Sequence, residues 1–248
     1  MFGFRPKLPV NDEERVWVDG GFSRLKRMLG AKRMLECEVV EPTDEFFPDP
    51  YDGSTAGLDG IFCRVCEYMQ VERGRVDLEI IPDSSEMRDV LHEYSLRSDA
   101  PAGLHFGESA DERPLIGVTQ SLLKDPLLVV ATVAHELGHV ILLDDGHLSR
   151  DVEDMEPLTD LVTVYLGLGI FTANASNRFR KFRDERLEGW SVNRLGYLGE
   201  EVYGYALALF AKERGEVGPA WATHLSTNVQ TYFRRSAAWL ESPSHQLA

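Results

Sequence analysis

The sequence predicts an α+β fold, with a small N-terminal sheet followed by a mostly helical C-terminal half. Three observations carry this. Short β-branched runs at residues 76–81 and 115–119 are confined to the first half of the chain. Beyond Ser121 the apolar residues recur at helical spacing almost to the end. No internal repeat or low-complexity linker interrupts the order. The expected division is an N-terminal α/β portion with long loops at 1–110 and a helical portion at 111–248, as two packed lobes or as one continuous domain.

Taken in order, Asn11 with Glu14 three residues later forms a capping box, and Val16, Trp17, Phe22, Leu25, Met28 and Leu29 follow at roughly helical spacing. The Gly20-Gly21 pair should break this stretch into two short helices. Residues 35–40 read as a strand. Residues 41–60 are dense in Pro, Asp and Gly and read as an ordered loop pinned by its aromatics. Ile61, Val65, Tyr68 and Met69 mark a helix. A strand at 76–81 is ended by Pro82, and the polar, turn-rich stretch 97–114 reads as the longest loop. After the second strand, helices are expected at about 125–143, 156–171, 176–190, 200–215 and 219–241.

The 248 residues carry 26 Lys+Arg against 41 Asp+Glu, a formal charge of −15, and 43% of them are hydrophobic, enough for a real core. No basic run appears. So acidic a chain excludes a nucleic-acid or anionic-membrane surface, since both need clustered Lys and Arg. The first fifteen residues have no apolar segment after their basic ones, so no signal peptide is expected. Cys37, Cys63 and Cys66 are odd in number and too few for a disulfide framework. The expectation is a soluble, cytoplasmic protein.

The chemistry is concentrated in the stretch beginning at Asp125-Pro126, a favourable N-cap followed by proline in the first turn. From Leu127 to Leu143 the helix is apolar almost all round. Its polar side chains are Thr132, His135, Glu136 and His139, at i, i+3, i+4 and i+7, which is one stripe of a helix. A buried helix with all its polar groups on one line needs something for that line to face. A membrane-spanning role fits poorly, because the segment is at the short limit and carries three ionisable groups mid-span.

His135-Glu136-Leu137-Gly138-His139 matches H-E-x-x-H. One turn brings both imidazoles onto one face, where they can bind one Zn²⁺, with Glu136 beside them to polarise the attacking water. The competing explanation is a pair of buried histidines satisfied by backbone or by a carboxylate. A catalytic zinc needs a third protein ligand. The metzincin extension would require Gly at Leu142 and His at Asp145; both fail, and His147 falls two residues late. Downstream lie the carboxylates Asp151, Glu153, Asp154, Glu156 and Asp160. Glu156 alone has another carboxylate four residues on, with Thr159 and Thr163 on the same face. The opposite face (Leu158, Leu161, Val162, Tyr165, Leu168) is apolar. Taken without the upstream motif, Glu156 and Asp160 would be an N-terminal acidic pair favoured by the helix dipole.

In this combination the chain resembles the gluzincins, zinc peptidases in which H-E-x-x-H is followed by a helix bearing E-x-x-x-D. The resemblance covers residues 115–171. The phrases FFPDPYDGS, RVCEYM and EPLTDLVTVYLGLGIF are also similar to segments of uncharacterised bacterial zincin-like proteins. What the resemblance implies is a zincin-like fold and one Zn²⁺ per chain held by His135, His139 and Glu156. Glu136 would be the general base, and Asp160 the carboxylate that accepts the other N–H of a liganding histidine, His135. Residues 115–119 would be an edge strand that pairs with an extended substrate. The expected function is a zinc-dependent hydrolase, a peptidase first, acting on a peptide or protein and not on nucleic acid or a membrane. The alternative is a zincin-fold regulatory or binding protein that keeps its metal and cleaves one substrate or none. A third reading is a helical protein with a chance motif and no metal.

Other residues in the chain carry reactive groups with weaker signals. Cys63-x-x-Cys66 could be a redox pair or half of a structural zinc site, but no second half exists in the sequence, and core packing is the better expectation. Tyr203, Tyr205 and His224 could donate to a tetrahedral oxyanion, against the simpler role of half-buried residues on the late helices. Tyr165 lies nine residues beyond Glu156 and out of phase with it, which excludes it from the site. Asp144, Asp145 and the acidic run 151–154 read as solvated loop charges. The stretches 41–60 and 97–114 are the ones that could cover the site.

Overall fold

The structure, a computed structural model, describes residues 7–82, 103–108, 113–144, 147–149, 152–184 and 198–242. The first helix, α1 (Asp12–Leu29), starts with the capping box: the Asn11 side chain accepts from the Glu14 N–H and the Glu14 carboxylate from the Asn11 N–H, each at 2.9 Å. It runs unbroken through Gly20-Gly21, where two pieces were expected. A Cβ on Gly21 would lie 2.4 Å from Leu161 Cδ2. The glycine therefore lets another helix approach, and that packing outweighs a propensity cost of about 1 kcal/mol.

Residues 35–40 are not a strand. They comprise the end of α2 (Ala31–Glu36) and an extended tail whose Val40 N–H donates to the Gly167 carbonyl at 2.9 Å. The β-branched residues earn extended backbone there but no sheet partner. The loop that follows is shorter than expected, because Ser54 caps α3 (Thr55–Met69) by accepting from the Gly57 N–H. Its aromatics do pin it. The Tyr51 hydroxyl donates to Leu123 O, Tyr68 donates to Phe46 O, and Phe47 packs edge-on against Tyr68 and Phe171.

Among the described residues the sheet has three strands in the order β1-β3-β2. β1 (Asp77–Ile81) runs parallel to β3 (Pro114–Thr119), with Leu78 opposite Ile116 and Ile80 opposite Val118. β2 (Gly103–Glu108) runs antiparallel on the other side of β3, with an irregular register between His105 and Glu108. Two expectations are corrected here. β3 is the central strand, so both of its backbone edges are occupied and it cannot pair with a substrate. β2 falls inside the stretch read as a loop; two glycines in GLHFGE depress its strand propensity, and pairing with β3 supplies what the local sequence lacks. Residues 97–102 and 109–112 of that stretch lie outside the described residues.

After β3, Asp125 accepts from the N–H groups of Leu127 and Leu128 and starts α4 (Pro126–His139), which closes in a single π-helical turn, Val140–Asp144. By length and composition Pro126–Leu143 could cross a membrane, but 78% of it is buried within this fold. It packs against α3 and against the next two helices, α5 (Met155–Tyr165) and α6 (Gly169–Asp184). The sequence joined part of α6 to α5. They are separated by Gly167 at φ +87, where a Cβ would fall 2.0 Å from Glu38 O, so only glycine serves this turn. α7 (Glu200–Glu213) and α8 (Thr227–Leu240) pack together, and a short 3₁₀ turn, Ala220–His224, takes the first part of the helix expected at 219–241.

The fold is thus mixed and mostly helical with a small sheet, and the buried apolar residues described, Ile81 aside, form one cluster running from Val10 to Leu240. Cys66 belongs to that core, Cys63 is half-buried, and all three cysteines are free thiols. Asp154 is not a solvated loop charge: it accepts from Trp17 Nε1 at 3.0 Å and pairs with Arg24 at 3.3 Å, which ties the start of α5 to α1. Asp145 and Asp151 lie outside the described residues.

Candidate metal centre

The polar stripe of α4 faces α5. His135, Glu136 and His139 are 3%, 1% and 5% exposed, and Glu156 in the first turn of α5 is 9% exposed. The two helices meet closely at Gly138, where a Cβ would stand 2.9 Å from Thr159 Cγ2. That closeness lets side chains from both helices reach one point. The His135 and His139 rings lie edge to face with centroids 4.9 Å apart. Glu156 spans them, with Oε2 at 3.1 Å from His135 Nε2 and Oε1 at 3.3 Å from His139 Nε2. One ligand atom from each of His135, His139 and Glu156 falls within 4.8 Å of the others, a buried cluster compatible with a metal ion.

The hydrogen bonds behind the cluster decide which nitrogens face it. His135 Nδ1 is 2.9 Å from Asp160 Oδ1, so an Nδ1–H donates to the carboxylate and Nε2 is left with its lone pair. His139 Nδ1 is 3.3 Å from Thr159 Oγ1, whose own proton goes to the Met155 carbonyl at 2.9 Å. The hydroxyl therefore accepts from His139, and that ring too turns an Nε2 lone pair inward. Two lone-pair nitrogens aimed at a carboxylate have nothing to bind unless a proton or a cation stands between them.

The electrostatics make the same point. Burial would push the His135 imidazole down, but the hydrogen bonds and charges of Asp160 and Glu156 outweigh it and raise it well above the usual 6.5. Burial would push Glu156 up, but His139 and His135 hold it far below the usual carboxylate range. Glu136 is raised by burial, against the pull of His139 and His135. Neither Glu136 oxygen has a hydrogen-bond partner, and neither has His139 Nε2 or the Thr132 hydroxyl on the same stripe. Buried groups left in this state cost about 1–3 kcal/mol each, more when charged. Orphaned atoms beside two imidazoles and a carboxylate are compatible with a metal ion held among them.

The residues singled out in the sequence are therefore placed together: His135, His139 and Glu156 at one point, Glu136 next to them on the stripe, and Asp160 on His135. His147 is exposed. The Tyr165 hydroxyl donates to Gly30 O, outside the cluster. Tyr205 donates to Asp19 at 2.8 Å and His224 pairs with Glu41 at 2.8 Å, so neither serves as an oxyanion donor here. Tyr203 is not half-buried but fully enclosed beside Asp160. Sequence reasoning did not find the Leu198 N–H, which donates to Asp160 Oδ2 at 2.9 Å; a backbone group 38 residues away carries no motif. A cavity of about 720 Å³ lies at the other end of α4, lined there by Pro126, Leu127 and Val130 and by the 42–64 region, and it includes none of the donors. Compared with protein families, curated proteins and solved structures, the chain matches none.

Proposed function

We propose that the chain is a zinc-dependent hydrolase of gluzincin type, with cleavage of a peptide bond as its reaction. The observation that carries this reading is the convergence of His135 Nε2, His139 Nε2 and the Glu156 carboxylate on one point, with both Nδ1 atoms already committed to Asp160 and Thr159. A zinc ion bound there would polarise a carbonyl and acidify a water molecule. Glu136, buried and without a partner, is the group that would accept a proton from an attacking water and return it to the leaving amine. Its raised pKa suits a group that must both accept and return a proton. Asp160 and Thr159 keep both rings in the tautomer that binds metal, and the apolar sheath of α4 keeps bulk water from the reacting groups. The three free thiols agree with a reducing compartment such as the cytoplasm.

The burial of all three donors favours a narrow version of this reading, in which the enzyme acts on one protein partner in place of degrading unfolded chains. Elemental analysis of exhaustively dialysed wild type and Glu156→Ala tests the site. About one zinc per chain in the wild type, lost or sharply reduced in the variant, supports it. Equal zinc in both removes Glu156 from the ligand set, and no zinc in either, with reconstitution failing, overturns the enzyme. Casein left intact by zinc-loaded protein would favour the single-partner version.

A further inference from the structure

The cavity of about 720 Å³ is walled by four separate parts of the chain: the 42–54 loop, the first half of α3, the start of α4 and Phe171 of α6. Its volume falls in the range of about 300–1,000 Å³ that folded proteins use for ligands. At about 100° per residue, Pro126, Leu127 and Val130 lie half a turn around α4 from His135, Glu136 and His139, and about 13 Å along its axis. The walls are held by their own contacts. The Tyr51 hydroxyl donates to Leu123 O at 2.9 Å, and Phe47 meets Phe171 edge-on with centroids 5.6 Å apart. Arg64 donates twice to Asp49, at 2.7 and 3.0 Å, and Asp52 accepts from the Ser54 N–H at 2.9 Å. A ligand would therefore order little of the wall on entering.

Gly60 keeps the space open. It sits inside α3, where glycine is the poorest helix former after proline. A Cβ there would meet no heavy atom of the described residues within 4 Å, so no packed neighbour requires the glycine, in contrast to Gly21 and Gly138. What its missing side chain leaves free is the cavity that it lines. The rest of the lining selects an occupant. Phe47, Tyr51, Ile61, Leu127, Val130 and Phe171 offer apolar surface suited to an aliphatic or aromatic side chain, and Leu127 is 47% exposed. Three carboxylates, Asp44, Asp49 and Asp52, line the cavity against one cation, Arg64, which is committed to Asp49. The balance is negative, on a chain of formal charge −15, so a cationic occupant is attracted and an anionic one repelled.

We infer that this cavity is a docking site for a peptide segment of the protein partner, one in which an apolar side chain stands beside Lys or Arg. That the partner is also the substrate rests on the single-partner reading above, which the cavity deepens by naming the surface that selects it. The docked segment is not the one cleaved. About 13 Å along α4 and about 10 Å across it separate the cavity from the metal cluster, so at least about five extended residues lie between the two segments.

The test is fluorescence polarisation of labelled octapeptides, each with one Leu or Phe flanked by pairs of Lys, beside counterparts with Glu for Lys. Wild type should bind the Lys peptides at least about tenfold more tightly than the Glu peptides. Gly60→Leu fills the cavity; it should melt higher, from better helix propensity, yet bind at least about tenfold more weakly. Asp44→Asn with Asp52→Asn removes two charges and keeps an acceptor for the Ser54 N–H, so binding should weaken about fivefold. Asp12→Asn with Glu13→Gln makes the same change of charge on the exposed start of α1 and should stay within about twofold. Unchanged binding in Gly60→Leu, or equal losses in the two charge variants, overturns the inference. So does a wild type that binds none of the peptides, whether it sediments as a monomer or as a dimer that closes the cavity with a second copy. If Gly60→Leu does not fold, Leu127→Gln carries the test with an expected loss of about threefold, and unchanged affinity there overturns the inference. Zinc is measured on the same preparation: Lys peptides bound by a protein without zinc keep the docking site and overturn the hydrolase alone.

Discussion

Thr159 accepts a hydrogen bond from His139, at 3.3 Å, because its own proton is committed to the Met155 carbonyl one turn back. A residue at the fourth position of E-P-L-T-D thus determines which nitrogen of a histidine on another helix faces Glu156. Thr159→Val keeps the shape and loses the acceptor. His139 Nδ1–H is then buried without a partner, and zinc affinity should fall about ten- to a hundredfold, whereas Thr159→Ser should stay near wild type. Chelator competition on the three proteins checks both arms.

Glu136→Gln separates holding a metal from using it. Glu136 is outside the cluster of donors, so the variant should retain about one zinc per chain. It removes the proton acceptor, and the rate on any substrate the wild type cleaves should drop by at least two orders of magnitude. The amide also relieves a buried carboxylate that has no partner, so the melting temperature should hold or rise. Full activity in Glu136→Gln would sink the mechanism even with zinc in place.

The pH dependence has opposite signs with and without metal. In the zinc-free protein His135 is raised above 6.5, so its contribution to stability is complete below 6.5 and is lost as pH rises through the higher folded value. Glu136, raised above 4.5 by burial, adds to the loss as pH rises. Glu156, lowered below 4.5, contributes above 4.5 and loses that contribution on acidification. The zinc-free protein should therefore melt highest between about pH 4.5 and 6.5 and lower by pH 8. Zinc binding requires neutral imidazoles and releases protons, so the zinc-induced rise in melting temperature should grow over the same interval. Thermal scans with zinc and with chelator, from pH 5 to 8, measure both slopes; parallel slopes would contradict the protonated cluster.

The buried cluster was legible because helix periodicity is local: four polar residues on one stripe of an apolar helix, and a Glu and an Asp one turn apart, need no tertiary information, and the resemblance joined the two sets. Thr159 and Thr163 could be placed on the right face for the same reason. What escaped was set by partners distant in the chain. β3 became central because β2 added to it, and GLHFGE looks like a turn until that partner is present. Gly20-Gly21 reads as a break until Leu161 fills the space above it. The Leu198 amide has no side-chain signature at all. Tyr203, expected to be a half-buried residue of a late helix, is fully buried, which its spacing within α7 could not show.

Gly138 sits where α4 meets α5. In the motif it is one of the two unspecified positions, and nothing about zinc requires glycine there. The helix crossing does. A methyl group at 138 would stand 2.9 Å from Thr159 Cγ2, 3.3 Å from Thr159 O and 3.5 Å from Val162 Cγ1, and the nearest of these is a short β-branched side chain that cannot swing away. Gly138→Ala gains helix propensity worth about 1 kcal/mol, yet it must push α5 outward. Overpacking of this kind costs about 1–3 kcal/mol, so the net change in stability should be modest. The metal site should suffer more, because α5 carries Glu156, Thr159 and Asp160 together, and a displacement of a few tenths of an ångström moves a ligand and both supports of the histidines at once. We expect a melting shift of a few degrees with a zinc affinity lowered at least tenfold. Denaturant melts and chelator competition on the same preparation report the two effects separately. An unchanged affinity would mean that the close approach of α4 and α5 at Gly138 serves packing alone.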